Sequence, residues 1–187
     1  MVLTGQMLGG RVVVVTGTAA PLGRGLADAM SVAGASVWEA AGRLSGRAEA
    51  EAAMAGAAGA FGPVDALVHA WVEPEAVEPV AFADIDDERF EAVWEATMRG
   101  TRWWLQAAQA AMAGRGGRIV VVISTAALSG AAGLVAYTAA AEGQRLLAKS
   151  AARQWGAEGI AVNCLAVAPE LVVAGSTAAG DVSLAPA

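Results

Sequence analysis

Four consecutive valines, Val12 to Val15, run into a glycine-bearing turn and then into a helix-like stretch. An unbroken apolar run such as Arg11 to Thr16 has no polar face to give to water, so it suits a parallel strand covered on both sides. The pattern repeats along the chain. Leu22 to Ala33 reads as a helix closed by Gly34, Ala35 to Glu39 as a second strand, and Leu44 to Ala60 as an alanine-rich helix. After the Gly62-Pro63 break, Asp65 to Ala70 reads as a third strand and Glu73 to Val80, with two prolines, as a loop. Asp86-Asp87 is positioned to cap a long helix reaching Ala113. Arg118 to Ser124 is a fourth strand, Tyr137 to Trp155 a helix and Ile160 to Ala166 a fifth strand. Strands alternating with helices predict right-handed crossovers and an α/β fold with helices on both faces of a parallel sheet. Ligands of such sheets gather beyond the carboxyl ends of the strands, which directs attention to the turn after the first strand and the loops after the third, fourth and fifth.

Composition narrows the functions open to this fold. With 187 residues the chain suits one domain, 1–187, whose last stretch, about 168–187, shows no clear period and reads as a loosely ordered tail. A net charge of −6 makes nucleic acid a poor partner. The single cysteine, Cys164, lies in an apolar run and reads as a small core residue. Met1 to Gly10 has no charged start leading into a long apolar stretch, so no signal peptide is expected. Ile119 to Ala141 is uncharged and long enough to cross a bilayer, but its β-branched opening and Ser/Thr/Gly-rich continuation read as a buried strand and loop. A cytoplasmic protein without membrane contact is expected.

The turn Thr16-Gly-Thr-Ala-Ala-Pro-Leu-Gly23 follows a strand and opens a helix, the context in which backbone N–H groups and a helix N-terminus meet a dinucleotide pyrophosphate; a tight strand-to-helix connection explains it equally well. Further on stand Gly117-Arg-Ile-Val-Val-Val-Ile-Ser124, Tyr137-Thr-Ala-Ala-Ala-Glu-Gly143, Leu147-Ala-Lys-Ser-Ala-Ala-Arg153 and Gly159-Ile-Ala-Val-Asn163. From about Gly10 to Asn163 these pieces, in this order, resemble the short-chain dehydrogenase/reductase family. The resemblance implies a Rossmann-type doubly wound, three-layer α/β/α sheet of about five to six strands. It implies NADP or NAD as cofactor, Tyr137 as catalytic acid or base and Ser124 as the residue orienting a carbonyl. Gly17, Thr18, Leu22, Gly23, Arg43 and His69 are the positions expected to meet the cofactor; Arg43 reads either as a contact for a 2′-phosphate or, equally well, as a solvated arginine.

The family's other working residues are replaced. Its lysine, four residues after the tyrosine, is Ala141, and the chain's only lysine, Lys149, would lie about 18 Å along the helix from Tyr137. With no cation beside it, the Tyr137 phenol is expected near its ordinary value of about 10. The relay asparagine aligns with Thr97, the family's Asn-Asn-Ala-Gly with His69-Ala-Trp-Val72, and its Pro-Gly with Val167-Ala168. The middle glycine of the phosphate turn is Pro21, which has no N–H to offer. A helix and strand expected before Asp65 are absent, as is the lobe that follows the last matched strand in the family.

His69 reads either as a structural histidine or as a replacement acid/base in a non-redox enzyme. On the long helix, Glu91, Glu95, Arg99, Arg102, Gln106 and Gln109 share one narrow arc, and the remaining apolar arc, which includes Phe90, Val93, Thr97 and Trp104, is more than twice the ~100° one sheet-facing stripe needs. That width predicts a homo-oligomer, or pairing with an active homologue, through helices 87–113 and 137–155. The leading expectation is a family member that has lost oxidoreductase catalysis and serves as a structural or regulatory subunit. An NAD(P)-dependent ketoreductase with altered machinery is the alternative.

Overall fold

The computed structural model describes residues 6–173. Among them, five strands form one parallel sheet in the order β2-β1-β3-β4-β5: β1 Val12–Thr16, β2 Ser36–Ala40, β3 Ala66–His69, β4 Gly117–Ser124 and β5 Ile160–Val167. The helices are α1 Pro21–Val32, α2 Arg47–Phe61, α3 Asp87–Met112, α4 Ala126–Ser129, α5 Val135–Trp155 and α6 Pro169–Val173. All five residues of β1 are buried, as a strand with apolar side chains on both faces must be. Its neighbours lie in fixed register, Val15 beside Glu39 on β2 and beside Val68 on β3.

Each side of the sheet buries its own cluster. Val12, Val14, Leu67, Ile119, Val121, Ile123 and Ile160 pack with α2, α3 and α5. Val13, Val15, Val68 and Val122 pack with Ala27 and with Leu22, Leu26 and Met30 of α1. Burying one such branched side chain contributes about 1.5–3 kcal/mol. Pro21 stands in the first turn of α1, where its missing N–H costs the helix nothing. The Asp86 carboxylate caps α3 by accepting from the Arg89 N–H at 2.7 Å, as the acidic pair in the sequence anticipates.

Several expectations change. The breadth of the apolar arc on α3 is largely used inside the chain. Val93, Thr97, Thr101, Trp104, Leu105, Ala107, Ala108 and Met112 are buried, because α3 packs against both α2 and α5 as well as the sheet. A helical wheel cannot distinguish two neighbours in one chain from one neighbour and a second subunit. The uncharged stretch Ile119 to Ala141 divides among β4, α4 and the start of α5, and no helix of the described residues is long and apolar enough to cross a membrane. The Glu73–Val80 loop contains a single 3-10 turn, Pro74–Val77. The tail begins with α6, and the rest of 168–187 lies outside the described residues. Cys164 is half-buried on β5 rather than enclosed, and partial burial raises its thiol pKa.

Candidate functional site at the carboxyl edge of the sheet

The sheet brings the expected residues to one edge, but several are already committed. Ser124 ends β4 and Tyr137 lies in the first turn of α5, and the two still meet: the Ser124 N–H donates to Tyr137 Oη at 3.1 Å. The Ser124 hydroxyl oxygen accepts from the Ala126 N–H at 3.1 Å, so it also caps the backbone entering α4. Ser124 is wholly buried and Tyr137 is only 4% exposed. Burial pushes the phenol up to about 12, against the weaker lowering effect of its contacts with Ser124. The expectation of an ordinary value is therefore corrected, because removal from water penalises the phenolate further than the absence of a cation alone. One turn along α5, Ala141 is enclosed in the core where the family has its lysine.

His69 is the second correction. Its ring is enclosed and does not line the crevice. Nδ1 lies 2.9 Å from the Thr16 hydroxyl and Nε2 lies 3.0 Å from the Thr101 hydroxyl. Thr16 also accepts from the Ala70 N–H, and Thr101 from the Gln144 side-chain amide at 2.7 Å. A neutral imidazole, with one donor and one acceptor, satisfies both threonines. Burial alone lowers the ring pKa from 6.5 to about 4. The position expected to contact cofactor, or to act as acid/base, instead bolts β1, β3, α3 and α5 together. Thr16, Thr101 and Gln144 escaped the sequence analysis, since nothing local marks them as one network.

The phosphate turn is also partly spent. Gly17 takes φ 74°. Its N–H donates to the Ala40 carbonyl at 2.9 Å and its carbonyl accepts from the Ala20 N–H at 3.0 Å. Gly23 is packed so tightly that a Cβ there would lie 2.2 Å from the Gly17 oxygen. Leu22 faces the sheet beside α1. Thr18 is only 2% exposed, and its hydroxyl has no hydrogen-bond partner among the described residues. Arg43, expected to await a 2′-phosphate, lies 3.6 Å from the Glu73 carboxylate. Glu73 is 5% exposed, and its second oxygen has no partner among the described residues. Burial raises its pKa, while Arg43 and, more weakly, a hydrogen bond from Trp71 pull the other way. Sequence reasoning missed Glu73, which it passed over as part of a proline loop.

These residues do not fit a nicotinamide dinucleotide. Among the described residues no cation adjoins the phenol, Pro21 has no N–H to offer a phosphate, and Arg43 lies beside an anion. A cavity of about 560 Å³ lies elsewhere, at the amino ends of the strands beside Arg11, Asp65 and Gly117. No group of three or more metal-ligating side chains is present among the described residues.

A family model described as short chain dehydrogenase matches residues 34–179. An uncharacterized oxidoreductase of Mycobacterium tuberculosis, found in two strains, is 33% identical over 181 residues that cover 82% of this chain and 65% of that protein. The chain thus spans about 65% of the length of the curated relatives it matches. Among solved structures, a short chain dehydrogenase from Mycobacterium avium superposes with TM-score 0.76 at 25% identity, covering 95% of this chain and 80% of that one. A citronellol catabolism dehydrogenase of Pseudomonas aeruginosa PAO1 gives the same TM-score, 0.76, at 22% identity, with 87% and 75% covered, a likeness of fold. With the matched stretch taking in β2 through β5, Ser124 and Tyr137, the chain belongs to the short chain dehydrogenase family.

Proposed function

We propose that this chain has lost hydride-transfer catalysis and works as a structural or regulatory subunit, associating with itself or with an active family member. The observation that carries the reading is the state of Tyr137. An acid/base must exchange its proton near neutral pH. This phenol is buried, pushed up to about 12, and faces a core alanine where a cation would be needed. Association is supported by Trp94 of α3, which remains 39% exposed, and Leu146 of α5, which remains 54% exposed. A Cβ at Gly143 would lie 2.8 Å from the Met98 sulfur and 3.4 Å from the Trp94 ring, so α3 and α5 approach closely there.

Purified chain offered NADH or NADPH with a panel of ketones is expected to show no turnover above a Tyr137→Phe control. Sedimentation is expected to show a dimer or larger, and Leu146→Glu should weaken that association at least tenfold. A monomer whose turnover disappears in Tyr137→Phe would overturn the proposal and establish the altered ketoreductase, a reading favoured by the surviving Ser124–Tyr137 contact.

A further inference from the structure

We propose that the cavity at the amino edge of the sheet binds a small amphipathic carboxylate, its apolar tail against the sheet and its head on Arg115 and Arg118. Side chains alternate across a strand, so residues two apart share a face. On the face that α1 covers, β1 is entered through Arg11 and then Val13, and β4 through Arg118 and then Val120. Each strand thus presents a guanidinium at the rim and turns apolar below it. Register sets Ala66 of β3 beside Arg118, and Val68 beside Val120. The cavity of about 560 Å³ has this end of the face as its wall, with Met30, Ala66 and Val120 half-buried along it. Small-ligand pockets typically enclose ~300–1,000 Å³.

The floor is apolar and unfinished. Among the described residues, α1 is the one helix whose side chains join the cluster on this face, and α1 lies over β1 and β2. Toward the other side the face runs through Val122 to its register partner Leu165 on β5, which is 46% exposed. The rim is cationic in a chain of net charge −6. Asp65 answers Arg11 at 3.2 Å, and its other carboxylate oxygen accepts from the Val12 N–H. Arg115 donates to the Val64 and Ala111 carbonyls, and Arg118 to the Gly117 carbonyl. Among the described residues neither of these two meets a carboxylate. A guanidinium offers a planar fork of N–H donors that a carboxylate matches. A bare anion would leave the floor wet, and a neutral hydrocarbon would leave both guanidiniums unanswered. A carboxylate with a short hydrocarbon tail meets both demands. β4 starts at this cavity and ends at Ser124, ~23 Å along the strand, so the site stands apart from Tyr137 and holds whether or not hydride transfer is lost.

Calorimetry with octanoate, 1-octanol and acetate reads tail and head separately and needs no turnover. Octanoate is expected to bind at millimolar concentration or below, with 1-octanol and acetate each at least tenfold weaker. Arg118→Gln should weaken octanoate at least tenfold and leave 1-octanol unchanged. The Arg118 side chain is exposed and bonds only its neighbour's carbonyl among the described residues, so the fold is expected to tolerate the change. Met30→Glu, which sets a like charge against the ligand, should weaken octanoate as much. Rising salt gives a second reading on the unmodified chain, weakening octanoate and sparing 1-octanol. Octanoate binding no tighter than 1-octanol overturns the proposal, as does a lack of binding at millimolar octanoate or an unchanged octanoate affinity in R118Q.

Discussion

Lowering the pH from 7 to 4 is expected to cost this fold about 3 kcal/mol through His69 alone. The ring titrates at about 4 when folded, against 6.5 as its ordinary value. Between those values the unfolded chain holds a proton that the folded chain refuses. Stability is therefore fully present above about 6.5, falls through the window, and is lost by about 4. A domain typically holds about 5–15 kcal/mol in all, so the loss is a large share. Urea unfolding at pH 7 and pH 4.5, on the unmodified chain and on His69→Asn, isolates the effect by subtraction. His69→Asn should be the less stable at pH 7, having lost bonds to Thr16 or Thr101, and should show the shallower fall with acid. Equal slopes for the two proteins would mean that the ring accepts a proton without leaving its site.

The second large effect belongs to Gly17. Its φ of 74° lies where a side chain costs about 1–2 kcal/mol. A Cβ would also press on backbone atoms of Ala70 and Trp71 at 2.6–2.9 Å, and backbone cannot swing aside as a long side chain can. Forcing it apart adds about 1–3 kcal/mol. Gly17→Ala is thus expected to destabilise by about 2–5 kcal/mol in chemical denaturation. Gly25→Ala supplies the contrast. Gly25 lies within α1 with nothing near its Cβ position, so alanine there should stabilise by about 0.5–1 kcal/mol. Similar losses at both positions would show that the turn yields more readily than its contacts suggest.

The layers of this fold were legible because their signals are local. Val12 to Val15 announce a strand covered on both faces, and Asp86 and Asp87 mark the start of α3 whatever the rest of the chain does. The pairing of Ser124 with Tyr137 was legible too, through resemblance. What escaped depends on register and strand order. His69 ends its strand, which suggested the ligand edge. Only the alignment of β1 with β3 places its ring against Thr16, and only the seating of α3 brings Thr101 to its other side. Glu73 and Arg43 are neighbours only because β1 separates their strands. The acid-base character of Tyr137 depends on how deeply the phenol is enclosed, which no spacing of residues records.

The placement of β1 also bears on the order in which a growing chain can settle. Its partners are residues 36–40 and 66–69, so a central three-strand unit is complete in sequence well before β4 begins at Gly117. Asp65 secures that unit early, its carboxylate accepting from the Val12 N–H at 2.9 Å across the stretch of chain that must close. β4 and β5 share the longest ladder among the described residues, eight register pairs from Gly117–Ile160 to Ser124–Val167, and both are made after that unit. Until β4 arrives, the outer edge of β3 offers unpaired backbone to any other nascent strand. Synthesis slowed between His69 and Gly117 would therefore favour wrong partners at that edge, whereas a pause after Val167 would come with all five described strands already made.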